Sequence, residues 1–169
     1  ATYWSKLKSN GKFTSSVNCT LIKDKFSLED FADYVKTYKP NFKTSPAARS
    51  KDYSKENVDV EISLADFHLD KLDVEVESVE SKMKLYMSVL TGLLNRCSGS
   101  CNINKVVFVI GNDLFQTDTW QGTTTSGTPV DHSVTWNKAY EMGFDLMVQA
   151  ISLIREYADV VDIILVQGN

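Results

Sequence analysis

Three short stretches of this chain carry residue types that hold metal ions. Asp66-Phe67-His68 sets a carboxylate and an imidazole two residues apart. Gly111-Asn112-Asp113 offers an amide and a second carboxylate, and Gly168-Asn169 offers a further amide oxygen. On extended backbone, residues two apart point to the same side, so Asp66 and His68 are expected to face one way. Oxygen and imidazole donors together suit manganese, iron or zinc better than calcium. Carboxylates crowded together without a cation repel one another, and a bound divalent ion removes that cost. Each stretch alone reads as well as a helix cap or a solvated loop residue. Together they point to a metal centre built from Asp66, His68, Asp113 and Asn169.

The elements that must position these groups follow from the apolar pattern. Val58, Val60, Ile62 and Leu64 alternate, which predicts a strand ending just before Asp66. Val76, Val79, Met83, Tyr86, Met87, Leu90, Leu93 and Leu94 keep helical three-four spacing, with Gly99 and Asn102 expected past the helix end. The methionines on that stripe read as core filler. Val106 to Ile110 form an unbroken apolar run, expected to be a strand buried on both faces and ending at Gly111. A helix is expected from about Val134 to Ala158, burying Phe144, Met147, Val148, Ile151 and Ile154, and a last strand from Val160 to Val166. Strand-helix-strand-helix-strand is a parallel βαβαβ core with right-handed crossovers. Neighbouring strand ends then lie ~5 Å apart, and ligands bind in the crevice beyond their carboxyl ends. The three stretches sit at those ends.

Residues 1–57 read as a separate N-terminal region before a core of 58–169. Asn10-Gly11 is a strong hairpin signal between two strand-like flanks, Tyr3 to Leu7 and Phe13 to Ile22. Ser27 to Asp30 resembles a capping box that starts a helix carrying Leu28, Phe31, Tyr34, Val35 and Tyr38 on one face, stopped by Pro40. Residues 39–57, rich in Ser, Lys and Pro, read as a solvated linker rather than a basic arm for a polyanion.

Asp66-x-His68, Gly111-Asn112-Asp113 and Gly168-Asn169, each after a strand, resemble the calcineurin-like metallophosphoesterase signature D-x-H, G-D, G-N-H-[DE]. The resemblance covers roughly residues 58–169 and is nearest to phage and bacterial members. It implies half of an α/β/β/α sandwich and a site for two divalent ions (Mn, Fe or Zn) that hydrolyses phosphate esters. Asp66 and His68 match ligands of the first ion, Asp113 the catalytic carboxylate bridging both, and Asn169 a ligand of the second. Asn112 is an extra residue between the glycine and the acid. The histidine after Gly-Asn and two later histidines of the family are absent, so the chain reads as a truncated piece of a longer enzyme. At most one weakly held ion and little hydrolysis are expected of it, with an open sheet edge that invites homodimerisation.

The 111–133 loop is longer than most ordered connections and begins at the candidate acid. Asp118, Trp120, Thr124, Asp131 and His132 are its candidate substrate contacts. Trp120 is suited to stacking on a base. Trp136 reads better as an anchor of the loop to the body. Substrates stay open between nucleic acid, cyclic nucleotide, phosphoprotein and small phosphoesters.

The composition adds bounds. The chain has 169 residues, 43% hydrophobic and 24% charged, within the ordinary globular range. Its net charge of −4 argues against general affinity for nucleic acid. No apolar run is long enough to cross a bilayer and no signal peptide opens the chain, so no membrane partner is expected. Three cysteines, Cys19, Cys97 and Cys101, are an odd and sparse set that suggests reduced thiols and a cytoplasmic setting. Cys97 and Cys101 lack a second Cys/His pair for a zinc clip. The rival reading is a non-catalytic α/β binding or structural module. A receiver-type domain lacks its early acid pair and late lysine here.

Overall fold

The structure, a computed structural model, describes residues 2–7, 13–18, 27–40, 51–71, 78–117, 119 and 121–166. The chain divides into two compact units, residues 1–37 and residues 38–169.

In the first unit, β1 (Thr2–Leu7) pairs antiparallel with β2 (Phe13–Asn18), Leu7 opposite Phe13. The turn expected at Asn10-Gly11 lies outside the described residues. α1 spans Leu28–Thr37. Its start is a reciprocal capping box: Asp30 N–H donates to Ser27 Oγ at 3.2 Å and Ser27 N–H donates to Asp30 Oδ2 at 2.6 Å. The helix stops short of Tyr38, because the residue before Pro40 is pushed out of the helical region. Tyr38, expected on the helix face, belongs instead to the second unit, where its hydroxyl donates to Asp145 and its ring meets Phe144 edge-on at 5.1 Å.

The second unit is a parallel three-stranded sheet with two helices. β3 (Asn57–Ser63), α2 (Val79–Ser100), β4 (Asn102–Gly111), α3 (Trp136–Ile154) and β5 (Val160–Val166) follow in order, and the sheet order is β3-β4-β5. Val60 pairs with Val106 and Ile62 with Phe108, while Val106 pairs with Val161 and Phe108 with Ile163. Two successive crossovers of one hand place both helices on the same sheet face. Accordingly, one core joins Ile62, Val106 and Phe108 to Tyr86, Leu90 and Leu94 of α2 and Leu146, Ala150 and Ile154 of α3.

That one-sided cover corrects the reading of β4. Val106 and Phe108 are fully buried, but Val107 and Val109 are half-buried, so the apolar run is covered on alternate positions only. On the other face Lys105 reaches Asp59 at 3.8 Å and Asp162 at 3.5 Å, one cation spanning three strands. β5, an edge strand, leaves Val160, Ile163, Ile164, Leu165 and Val166 exposed, Leu165 by 78%.

Three smaller corrections concern the helices. Gly99 lies inside the last turn of α2, because Cys101 N–H still donates to Cys97 O at 3.0 Å. α3 is shorter than expected at both ends. Its buried positions are Ala139, Met142, Gly143, Leu146, Met147, Ala150 and Ile154; of the expected face Met147 and Ile154 are buried, Ile151 is half-buried against the core, and Phe144 and Val148 are half-buried. No helix among the described residues is long and apolar enough to cross a membrane.

Candidate functional site

The carboxyl ends of the three strands run side by side, and backbone hydrogen bonds carry the pairing past the sheet. Asp66 N–H donates to Asn112 O at 2.9 Å, His68 N–H to Asp113 O at 3.1 Å, and Leu69 N–H to Leu114 O at 2.8 Å. Asn112 N–H donates to Val166 O at 3.2 Å, tying in β5. This crowding explains Gly111. Its φ is +128°, and a Cβ there would stand 1.8 Å from Val166 O. Only glycine lets β4 leave the sheet so close to β5.

Asp66, His68, Asn112 and Asp113 all take positive φ, at 52°, 48°, 51° and 62°. Left-handed backbone costs roughly 1–2 kcal/mol at a non-glycine residue, though Asn and Asp pay less. Four such residues at adjacent strand ends mark a site whose shape outweighs local preference. They also correct the expectation that Asp66 and His68 share a direction by strand alternation. The backbone there is not extended, so the two-residue period does not apply. His68 is half-buried and Asp66 is exposed. Between them Phe67 turns inward and meets Tyr86 of α2 edge-on at 5.0 Å, which anchors the turn.

A pocket of about 480 Å³ opens at these ends, lined by His68, Asp113, Phe115, Gln116, Thr124, Thr125 and Ser126. His68, Asp113 and Thr124, each expected in the site, therefore share one cavity. Asp66 does not line it. Asp131 and His132 are exposed and stand outside it. Lys71 forms an isolated antiparallel bridge with His132, and the His132 ring covers Gly122, where a Cβ would meet it at 2.8 Å. Asp118, Trp120 and Asn169 lie outside the described residues. Among the described residues, no three His, Cys, Asp or Glu side chains stand close enough together to hold a metal ion.

The described part of the 111–133 loop combines two tight turns with a backbone bond that closes across the longer stretch between residues 122 and 130. Gly122 N–H donates to Thr119 O at 3.0 Å, Gly127 N–H to Thr124 O at 2.9 Å, and Val130 N–H to Gly122 O at 3.0 Å. Gly122 and Gly127 sit at positive φ in the two turns. Phe115, a wall of the pocket, stacks on Tyr140 at 4.5 Å, and Tyr140 in turn meets Trp136 at 4.9 Å. Trp136, expected to anchor the loop, meets within its own helix the ring on which Phe115 stacks.

Two buried charged residues beneath the pocket escaped the sequence reading. Asp70 is fully buried and accepts from Gln116 N–H at 2.6 Å and Thr117 N–H at 3.2 Å. Its own carbonyl accepts from Ser133 N–H at 2.8 Å. Lys82, also buried, donates from Nζ to His68 O at 3.1 Å and to Lys71 O at 2.6 Å. One carboxylate therefore holds the loop after Asp113, and one ammonium holds the turn that carries His68. Lys82 had a signal: it lies three residues after Val79 and four before Tyr86, on the apolar stripe itself. Asp70 had none beyond its place two residues after His68.

Comparisons with protein-family models, with curated proteins and with solved structures find no match to this chain.

Proposed function

We propose that this chain carries a phosphate-ester hydrolysing site of the calcineurin-like metallophosphoesterase type, centred on His68 and Asp113. What supports the reading is one observation. Two strand ends that bear the D-x-H and G-x-D patterns are laced together through left-handed residues, and both a histidine and an acid from them enter one pocket.

The donor set in that pocket, one imidazole and one carboxylate, suits a single divalent ion completed by water better than a closed two-ion centre. His68 and Asp113 would hold it. When bound, such an ion lowers the pKa of a coordinated water to about 7 and neutralises charge on the phosphate. Thr124, Thr125 and Ser126 line the same cavity, where their hydroxyls suit donation to phosphate oxygens. Phe115 gives the cavity an apolar wall on which an organic ester group can rest. The net charge of −4 favours small phosphate esters over nucleic acid as substrate.

Calorimetric titration with Mn²⁺, alongside hydrolysis of bis-p-nitrophenyl phosphate, tests this. One weak binding event is expected, abolished by Asp113→Ala together with any metal-dependent cleavage. Absence of binding by Mn²⁺, Fe²⁺ and Zn²⁺, or cleavage indifferent to Asp113→Ala, overturns it.

A second reading, an interaction module that self-associates through its sheet edge, is favoured by the exposed apolar residues of β5. In that case partner binding survives Asp113→Ala unchanged.

A further inference from the structure

At the C-terminal end of α2 the two thiols of Cys97 and Cys101 stand 3.4 Å apart, sulfur to sulfur. Their closeness has a backbone cause. Cys101 is the cap of the helix and is extended, with φ −142° and ψ 166°, while its N–H still closes the last turn onto Cys97 O. The cap residue thereby swings its side chain back over the helix end, and Cys101 Sγ lies 3.0 Å from the same Cys97 carbonyl. Within a continuing helix the two side chains would stand one turn apart. The intervening Ser98-Gly99-Ser100 includes a glycine with no atom within 4 Å of where a Cβ would stand. That turn therefore has room and backbone freedom to adjust. A disulfide needs a sulfur separation near 2.05 Å, which asks for a closure of little more than one ångström.

We propose that Cys97 and Cys101 are a dithiol switch, forming an intramolecular disulfide with small disulfides such as oxidised glutathione. The electron count closes in two exchanges. The thiolate of one cysteine attacks one sulfur of the small disulfide and expels one thiol, leaving a mixed disulfide on that cysteine. The other cysteine gives up its proton and attacks the cysteine sulfur of the mixed disulfide, expelling the second thiol. The two cysteines lose two electrons and two protons, and the small disulfide gains them. Burial and the neighbouring Cys101 thiol hold the Cys97 thiol above its usual range. This device is independent of the chemistry at the other strand ends.

Trypsin cuts after Arg96 and Lys105, so both cysteines fall in one peptide, Cys97–Lys105. The whole chain is equilibrated with mixtures of oxidised and reduced glutathione, quenched in acid, alkylated with N-ethylmaleimide and digested without reductant. The expected product is that peptide lighter by two hydrogens and carrying neither maleimide nor glutathione. In Cys97→Ser the expected product is a persistent glutathione adduct on Cys101. Two maleimides on the wild-type peptide at every ratio, two glutathiones on it, or a cross-link to Cys19 would each overturn the proposal.

Discussion

Thr117 buries its hydroxyl next to the Asp70 carboxylate that its own N–H serves, yet Oγ1 has no hydrogen-bond partner among the described residues. Thr117→Val keeps the shape and removes that unsatisfied group. Urea unfolding should show it neutral to stabilising, by up to about 1 kcal/mol. Lys82→Met has the opposite sign. It takes the Lys82 donor from the Lys71 carbonyl and one of two donors from the His68 carbonyl, which keeps the Lys71 N–H, and should cost about 1–3 kcal/mol, with faster amide exchange confined to residues 66–71. Tyr86, buried beneath Phe67, has its phenol pushed up to about 12 by desolvation. Folding then holds the proton that the unfolded chain releases. Stability tied to Tyr86 is complete below about pH 10 and is lost as pH rises towards about 12, at ~1.4 kcal/mol per pH unit. Tyr86→Phe should abolish that loss relative to the parent chain, read as the difference between their unfolding curves from pH 9 to 12.

At the scale of elements, Gly111 and Gly127, two of the three described glycines at positive φ, make a controlled pair. Gly111→Ala meets Val166 O at 1.8 Å as well as backbone strain, and should cost upwards of about 3 kcal/mol. Gly127→Ala, at φ +84° with open space around it, should cost about 1 kcal/mol, the strain alone. Thermal unfolding of both variants checks the ratio. The elements themselves were legible because their periods are clean: Val58, Val60 and Ile62 alternate into the core, and the Ser27–Asp30 box caps α1 as its spacing foretold. The local geometry of the site was not legible. Asp66 and His68 look like an alternating pair on paper, and only the left-handed turn demanded by pairing with residues 112–114 separates them. The one-sided burial of β4 was hidden for a similar reason. An apolar run records what a residue tolerates on both sides, and not which side a helix covers.

At the scale of the whole molecule, the second unit has a face of mixed charge and apolar residues with a strongly apolar edge. Sedimentation velocity should show concentration-dependent association, and Leu165→Lys with Ile164→Lys should shift the chain to monomer without lowering its melting midpoint by more than a few degrees. A parallel sheet also gives the molecule two poles. The pocket gathers where the strands finish, whereas Cys101 directly precedes β4, where they set out. A ten-residue strand spans roughly 33 Å. A fluorophore carried on Cys101 would therefore ride as a spectator at the far pole, free to report on tumbling and assembly while the opposite end is saturated with ligand.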